Sequence, residues 1–247
     1  MSGKPSYKTK AIVIGRVNFG EADRVVRFLT PEHGKLAAVA KGVRRIKSRF
    51  GGHLELFGEV DLMLTKGRNL DTITSARLIW YPNQVVGNYD QLGLAFLIAG
   101  AVDKLTEPDH PAAALYSMVR EALGALDAGA GGALFELWFK LRLLETLGYR
   151  PELGGCMSCG QNSPEAIYLF STERGGIVCA SDSRPLDSPI TALQIKFWRL
   201  LCDYPYGTIS HIADAAALAD QTLPLCDGFY EHHLGSQFRP TLTGESA

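Results

Sequence analysis

The length and composition of the chain set the first limits on its architecture. At 247 residues it exceeds what one small hydrophobic core needs, which predicts one large domain or two or three modest ones. With 46% hydrophobic and 21% charged residues and no low-complexity tract, the composition excludes a largely disordered chain. The longest apolar run, 92–102, is far shorter than the roughly 20 residues that span a bilayer, and the first residues lack the apolar stretch of a signal peptide. We therefore expect a cytoplasmic protein without a membrane segment.

The charge is distributed unevenly along the chain. The formal net charge is −1, but residues 1–80 carry 15 Lys and Arg against 7 Asp and Glu, a net charge of +8, which leaves −9 for the remainder. An asymmetry of this size predicts an anion-binding module joined to an acidic one. The alternative is a chance segregation of solvated surface charge.

The basic N-terminal part has the pattern of short β-strands. Residues 7–17 are rich in β-branched side chains, and 59–64 largely alternate polar with apolar positions. Further extended segments are expected at 36–40 and 71–79, and residues 66–69 predict a turn. Several short strands within about 80 residues fit a small barrel such as the five-stranded OB-fold. Periodicity alone does not distinguish it from an SH3-like barrel.

From Tyr89 onward the apolar residues recur at helical spacing, in 92–105, 112–126 and 134–147. Gly148 is placed to end the third of these helices. Bulky side chains at positions i, i+3, i+4 and i+8 of that helix predict core packing rather than a cofactor site: Phe135, Trp138, Phe139 and Leu143. Cys202 and Cys226 lie in later helical patterns, where we expect buried thiols.

Between Pro151 and Pro189 the helical periodicity stops and two short ligand pairs occur. The first is Cys156-x-x-Cys159, and the second is Cys179-x-x-Asp182. Two close pairs on tight turns can converge tetrahedrally on one Zn²⁺ at Zn–S distances of about 2.3 Å, with a carboxylate oxygen as the fourth ligand. The pattern predicts a structural zinc site made of these four residues. The alternative is a degenerate knuckle whose turns persist by packing, with free thiols.

Three thiolates and one weaker ligand are also compatible with catalytic zinc, as in the nucleobase deaminases. Those enzymes carry His-x-Glu followed by Pro-Cys-x-x-Cys, whereas here His53-Leu54-Glu55 lies far upstream and Pro151 is not adjacent to Cys156. The sequence also lacks the phosphate loop, the nucleophile elbow and the His-Glu-x-x-His motif. We therefore expect a non-enzymatic protein without catalytic residues.

The densest functional signal is the segment 41–50, Lys-Gly-Val-Arg-Arg-Ile-Lys-Ser-Arg-Phe, with five cations in ten residues. Cations that neutralise phosphates release condensed counterions, so the segment predicts salt-dependent and largely sequence-independent binding of nucleic acid. OB surfaces add aromatic side chains that stack on unpaired bases, for which the candidates are Tyr7, Phe19, Phe50 and Phe57. The alternatives are a solvated loop and aromatic residues that belong to the core.

Several stretches, in order along the chain, resemble the RecO family of recombination mediators. They are 21–27 (Glu-Ala-Asp-Arg-Val-Val-Arg), 30–35 (Thr-Pro-Glu-His-Gly-Lys), 41–45 with 48–50, and 143–149 (Leu-Leu-Glu-Thr-Leu-Gly-Tyr) leading into Cys156-x-x-Cys159-Gly160. Gly175-Gly176 before Cys179 completes the series. Each stretch alone is weak, but their combination is specific and covers roughly residues 7–235.

The resemblance implies an α+β fold, with an N-terminal five-stranded OB-fold barrel followed by an all-helical domain that carries a small zinc-knuckle insertion. We assign the OB domain to residues 1–82, the helical domain to 83–150 and 188–247, and the insertion to 151–187. The implied function is in DNA repair and recombination, by binding single- and double-stranded DNA and annealing complementary strands. With RecR, the protein would help to load RecA recombinase onto single strands coated by single-stranded-DNA-binding protein, in the cytoplasm and associated with the nucleoid.

Carried onto this sequence, the resemblance and the side-chain charges place DNA contacts at eight cations: Arg24, Arg27, Lys35, Lys41, Arg44, Arg45, Lys47 and Arg49. The acidic helical region would receive the C-terminal tail of single-stranded-DNA-binding protein in a groove, for which Leu134, Trp138 and Arg142 lie on one candidate face. The match departs at Asp182, where many family members have a fourth cysteine, so zinc affinity depends on a carboxylate. Three other classes stay open: a protein-binding adaptor, a nucleic-acid-binding factor without annealing activity such as a transcription or translation factor, and a metalloenzyme that acts on nucleic acid.

Overall fold

The computed structural model describes residues 5–162 and 167–235, which form two compact units that divide after Gly129. The α+β class, with an N-terminal barrel and a helical part after it, is confirmed. The domain boundaries at 82, 150 and 187 stay predictions. The parts of those domains that fall on 1–4, 163–166 and 236–247 lie outside the described residues.

The first unit begins with five strands that close into a barrel. They are β1 Ser6–Phe19, β2 Asp23–Thr30, β3 Gly34–Ala40, β4 Glu59–Thr65 and β5 Asp71–Trp80. Their order around the barrel is β1-β2-β3-β5-β4, with β3 and β5 parallel and the other pairs antiparallel. This is a five-stranded barrel of the OB type. A register shift between Val13 and Gly15 bends the long strand β1, which pairs with both β2 and β4 and so closes the barrel.

The core of the barrel comes from the inward positions of the alternating strands. Phe28 on β2, Leu62 on β4 and Ile73 on β5 are each at most 2% exposed. Phe50 and Leu54, from the segment between β3 and β4, belong to the same apolar cluster. That segment is therefore fixed at its C-terminal side by buried side chains, although it contains no helix or strand.

Three helices complete the first unit: α1 Asn83–Val86, α2 Tyr89–Leu105 and α3 Ala113–Asp127. The side chain of Asn88 caps α2 by accepting hydrogen bonds from two backbone N–H groups of its first turn. On α3, Tyr116 and Arg120 donate to the carboxylate of Glu59 on β4, at 2.7 and 2.9 Å. The backbone N–H of Ala112 donates to the carbonyl of Pro31. The helix α3 is thus fastened directly to the barrel.

Among its described residues, 130–162 and 167–235, the second unit contains four α-helices and a small sheet. The helices are α4 Gly132–Thr146, α5 Ala192–Asp203, α6 Tyr206–Ile209 and α7 Ala215–Leu234. The strands β6 Tyr168–Ser171, β7 Gly176–Cys179 and β8 Ser188–Ile190 form a sheet in the order β7-β6-β8. Phe170 of β6 packs edge-to-face on Trp198 of α5 and Phe229 of α7. The sheet is therefore built into the helical core of this unit.

The predicted end of α4 and the predicted core are both confirmed. Gly148 has a φ of +84°, and the N–H groups of Gly148 and Tyr149 donate to the carbonyls of Glu145 and Leu144, which is a Schellman motif. The side chains of the predicted stripe and of the two helical cysteines are fully buried: Phe135, Trp138, Phe139, Leu143, Cys202 and Cys226. Within the described ranges, no helix has the length and apolar character needed to cross a membrane.

Candidate nucleic-acid interface and metal site

The segment 41–49, which we call the basic loop, is docked on the turn between β1 and β2. The backbone N–H of Gly42 donates to the Asp23 carboxylate at 2.7 Å, and that of Arg44 donates to the carbonyl of Ala22 at 3.0 Å. The Arg44 guanidinium also reaches the carbonyl of Gly20 at 3.2 Å. Gly42 has a φ of +68°, a conformation that favours glycine and lets the chain turn away from β3. The loop is therefore held at a defined place on the barrel.

The cations of the basic loop point into solvent. The exposed side chains are those of Lys41, Arg44, Arg45, Lys47 and Arg49. In the described parts of the chain, none of these five forms an ion pair with a carboxylate. Arg49 lies over the ring of the buried Phe50, 4.9 Å from its centroid. An exposed cluster of uncompensated positive charge produces a local field that attracts polyanions.

The three predicted cations on the strands have different surroundings. On the outer face of the barrel, Arg27 forms an ion pair with Asp103 of α2 at 2.9 Å, and Lys35 donates to the backbone carbonyl of the same aspartate at 2.5 Å. The Arg27 guanidinium also lies against Gly15, where an added Cβ would come within 2.7 Å of it. Arg24 is half-buried and donates to Asn18 at 3.0 Å. Arg27 and Lys35 are thus engaged within the unit.

Burial separates the four aromatic candidates. Phe50 and Phe57 are each 2% exposed, which excludes them from stacking on a base. The Tyr7 hydroxyl donates to Asp71 at 2.5 Å, and burial together with this hydrogen bond raises the pKa of Tyr7 above its usual range. Phe19, at the end of β1, is 58% exposed, and Val17, on the same strand face, is 51% exposed. Phe19 is therefore the candidate that a nucleobase can reach.

The structure brings the four predicted metal ligands together. Cys156 and Cys159 lie on one turn, Cys179 ends β7, and Asp182 follows in a short 3₁₀ turn. Their ligand atoms all lie within 4.8 Å of one another. The Cys159 and Cys179 sulfurs are 3.6 Å apart, and the Cys156 sulfur is 3.6 Å from an Asp182 oxygen. Tetrahedral Zn²⁺ with bonds of about 2.3 Å to sulfur and about 2.0 Å to oxygen requires separations of roughly 3.8 and 3.5 Å. The donor set fits such an ion.

Backbone N–H groups surround the first ligand sulfur. The N–H groups of Cys179 and Ser158 donate to the Cys156 sulfur at 3.2 and 3.4 Å. Burial raises the pKa of the Cys156 thiol, but the backbone donors outweigh this effect and lower it to about 7. Burial and hydrogen bonds with the other two thiols raise the pKa of Cys179 to about 12. Four protein ligands leave no open position for a water molecule, so the site has the composition of a structural centre.

The interpretation of Leu134, Trp138 and Arg142 as one face of an open groove is wrong. Leu134 is 8% exposed, Trp138 is fully buried, and its indole N–H donates to the carbonyl of Tyr204 at 3.1 Å. Arg142 pairs with Glu145 at 2.9 Å. The physical reason is that α4 packs against both α5 and α7, so its apolar surface is covered on more than one side.

Two contributing residues escaped the sequence interpretation. Asp103 engages Arg27 and Lys35, and Arg174 hydrogen-bonds to both turns of the metal site. The only sequence feature of Asp103 is its place directly after the apolar run 92–102, and a carboxylate in such a place is usually solvated. Arg174 lies in a turn among other charged residues, and only the fold reveals that it turns inward.

The fold and the two sites define an OB-barrel protein whose helical second unit carries a three-cysteine, one-aspartate cluster. Residues 1–81 match the family description "Recombination protein O N terminal", and residues 86–241 match "Recombination protein O C terminal". The chain is 34% identical over 239 residues to the DNA repair protein RecO of Bifidobacterium adolescentis, covering 95% of this chain and 97% of that protein. It is 35% identical over 231 residues to RecO of Roseiflexus sp., covering 92% and 81%. The chain therefore belongs to the RecO family of DNA repair proteins.

Proposed function

We propose that this chain is a non-enzymatic recombination mediator. It binds single- and double-stranded DNA, anneals complementary strands, and with RecR helps to load RecA onto single strands coated by single-stranded-DNA-binding protein. The observation that carries the proposal is the basic loop, whose five exposed cations lack carboxylate partners among the described residues, in a member of a DNA-repair family. Its place of action is the cytoplasm, in association with the nucleoid.

The DNA surface follows from which cations are available. The five loop cations and Arg24 beside them are the primary phosphate contacts. Arg27 and Lys35 reach a phosphate only by competing with Asp103 for their hydrogen bonds. Phosphate contacts of this kind carry no base information, so the binding is sequence-tolerant and falls steeply with salt.

Annealing needs no bond chemistry. A cationic surface that holds two backbones lowers their mutual repulsion and leaves the bases free to pair. Phe19 adds an exposed ring beside Gly20, whose carbonyl is bonded to Arg44. Stacking on such a ring favours unpaired bases, because the faces of paired bases are already covered by their neighbours.

In the second unit, we propose that Cys156, Cys159, Cys179 and Asp182 hold a structural Zn²⁺. The fit rests on the separations of the donor atoms and on the mixed sulfur and oxygen donors. When bound, the ion would join the two ligand turns and contribute folding free energy. It has no part in a reaction. The acidic remainder of the chain is the region offered to protein partners, including the C-terminal tail of single-stranded-DNA-binding protein.

The experiment follows annealing of two complementary labelled oligonucleotides, with and without single-stranded-DNA-binding protein, at several salt concentrations. We expect the intact chain to accelerate annealing, and a Lys41/Arg44/Arg45/Arg49→Ala variant to lose most of that acceleration. The matched control replaces four exposed cations outside the loop, Lys8, Lys10, Arg77 and Lys196, by alanine, and should anneal like the intact chain. If the intact, folded chain does not anneal DNA, the chain is better described as a protein-binding adaptor. Equal loss in both variants would remove the loop's special role.

A further inference from the structure

The cysteine ribbon, residues 151–162 and 167–190, has a polar centre formed by one arginine that belongs to neither ligand pair. Arg174 lies in the turn between β6 and β7, and its side chain is only 17% exposed. Its Nη1 donates to the Ser158 hydroxyl at 2.7 Å and to the Asp182 carbonyl at 3.1 Å. Its Nη2 donates to the Asp187 carboxylate at 2.5 Å, and its Nε to the Ser171 hydroxyl at 3.1 Å. Every nitrogen of the guanidinium therefore has a partner.

These partners connect parts of the ribbon that are distant in sequence. Ser158 lies inside the first ligand turn, between Cys156 and Cys159. Asp182 is the last ligand, and Arg174 binds its main chain, so the carboxylate stays available to a cation. Asp187, on the way into β8, is 5% exposed and accepts a second hydrogen bond from the backbone N–H of Arg184. One planar group thus touches both ligand turns and the loop that follows them.

The two ligand turns differ in how the backbone holds them. In the first turn, the N–H of Cys156 donates to the carbonyl of Gln161, and the N–H of Met157 donates to the carbonyl of Ile177 on β7. The second turn has a hydrogen bond from Ala180 to Ile167 at 3.0 Å and a long one from Ser183 to Ala180 at 3.4 Å. To these contacts Arg174 adds a side-chain bridge from Ser158 in the first turn to the main chain of Asp182 in the second.

We propose that Arg174 is a positioning residue that clamps the two ligand turns together, so that the four ligand atoms keep their arrangement when no cation is bound. The fork geometry of arginine suits this task, because its five N–H donors are fixed in one plane and bind several acceptors at once. A site whose fourth ligand is a carboxylate gains from such preorganisation, since the ordering of the turns is then completed during folding and not during metal binding.

The first experiment compares the metal-free forms of three full-length chains: the intact protein, Arg174→Ala and the control Arg184→Ala. Arg184 lies on the same ribbon, but its side chain pairs with Glu173 on the surface, and its backbone N–H to Asp187 survives the substitution. Amide hydrogen exchange is measured across residues 156–162 and 167–182 after removal of metal by a chelator. We expect protection in the intact chain and in Arg184→Ala, and its loss in Arg174→Ala. Equal protection in all three would overturn the proposal.

The second experiment measures Zn²⁺ affinity by competition with a chromogenic chelator. Removing a hydrogen-bond partner that orients metal ligands typically weakens binding by about 10- to 100-fold, and we expect a loss in this range for Arg174→Ala. Arg184→Ala should bind like the intact chain. Arg174→Lys keeps the charge but cannot span the same acceptors, so it should not restore affinity. Full restoration by lysine would show that charge suffices and would overturn the clamp.

A second variant, Ser158→Ala, tests the same bridge with a smaller change. If Arg174→Ala does not fold, Ser158→Ala removes one arm of the clamp and leaves the Arg174–Asp187 pair in place. We then expect a several-fold loss of Zn²⁺ affinity, as for about 1 kcal/mol, and faster exchange in the first turn; an unchanged Ser158→Ala variant would contradict the proposal. If even the intact chain takes up no Zn²⁺, the zinc assignment fails, while the metal-free exchange comparison still decides the role of Arg174.

Discussion

The basic loop and the cysteine ribbon use charged side chains in opposite ways. In the loop, five exposed cations have no carboxylate partner within the described residues, so their charge is available to a ligand. In the ribbon, Arg174 is inserted among Asp187, Ser158 and Ser171, and its charge is neutralised within the fold. A charge that is paired within the fold stabilises the local structure, because removal of its partner leaves a partly buried ion unpaired. Uncompensated surface charge costs little stability and attracts an external partner.

The outer face of β2 and β3 is an intermediate case. Arg27 and Lys35 belong to the same barrel as the basic loop, yet both are engaged by Asp103 of α2. They therefore resemble the ribbon arginine more than the loop cations. The net charge of +8 in residues 1–80 overstates the number of cations that a polyanion can reach.

The largest effect should follow from removing the loop cations. For Lys41/Arg44/Arg45/Arg49→Ala, we expect DNA affinity at low salt to fall by roughly a hundredfold or more, and the slope of log K against log salt to become shallower by about three. Thermal stability should hardly change, because these side chains are exposed. Fluorescence anisotropy over a salt series measures both quantities. The control with Lys8, Lys10, Arg77 and Lys196 replaced should keep the original slope; an equal change there would remove the distinction between loop and surface charge.

The next largest effect should come from the exposed ring at the end of β1. We expect Phe19→Ala to weaken binding of single strands by about 1–3 kcal/mol, roughly 5- to 150-fold, with no change in the salt slope, because stacking releases no counterions. Binding of duplex DNA should be nearly unchanged. Titration of both DNA forms by anisotropy tests this. Tyr89→Ala removes another exposed ring of the same unit and is the control; parallel losses for duplex and single strands would rule out stacking.

Breaking the engagement of the strand cations should affect stability and not DNA binding. Asp103→Ala leaves the Arg27 guanidinium without its carboxylate, so we expect the free energy of unfolding to fall by about 1–3 kcal/mol. DNA affinity should stay equal or rise slightly, because Arg27 and Lys35 are then released. Urea denaturation and DNA titration give the two values. Asp61→Ala, which breaks the exposed pair with Arg77, should cost under about 1 kcal/mol. If the DNA affinity of Asp103→Ala instead falls, release of Arg27 and Lys35 does not favour DNA binding, and this prediction is wrong.

Local signals in the sequence predicted four of the five barrel strands, the helical segments 92–105, 112–126 and 134–147, and the ligand set, but they did not predict β2. The alternation of polar and apolar residues in 59–64 predicted which face of the strand is buried, and Val60, Leu62 and Leu64 are buried as expected. The two x-x spacings allowed the four donors to meet, since each pair needs only a tight turn. Such features depend on residues that are close in sequence, and periodicity is a reliable guide to them.

The features that the sequence did not predict depend on contacts between residues that are distant along the chain. The pairing of Arg27 with Asp103 joins a strand to a helix that begins well beyond the barrel, and no spacing rule connects them. The same reason explains the error at Leu134, Trp138 and Arg142, because one stripe of α4 was identified and the contacts of its other sides with α5 and α7 were not. No sequence pattern singles out Arg174, because the groups that accept its hydrogen bonds lie at separate places along the chain.

The smallest effect that we expect concerns the stability of the ribbon, which should depend on pH through the Asp187 carboxyl. Burial raises the pKa of this carboxyl, but hydrogen bonds from Ser171 and the Arg184 N–H and the charge of Arg174 outweigh it and lower the pKa below its usual range. A carboxyl whose pKa is lowered by folding contributes stability that is complete above its unfolded pKa, near about 3.9, and is lost as the pH falls through the folded-state value.

Acidification of the metal-free protein below about pH 4 should therefore lower the protection of the ribbon amides, measured relative to their intrinsic exchange rates at the same pH. Asp187→Asn should already exchange faster at neutral pH and show a weaker dependence on acid. Glu173→Gln, which alters only the exposed pair with Arg184, is the control and should follow the intact chain. If the ribbon amides of Asp187→Asn and of the intact chain lose protection over the same pH range and to the same extent, the ribbon is stabilised by groups other than the Arg174–Asp187 pair. The contrast between compensated charge in the ribbon and uncompensated charge in the loop would then not hold.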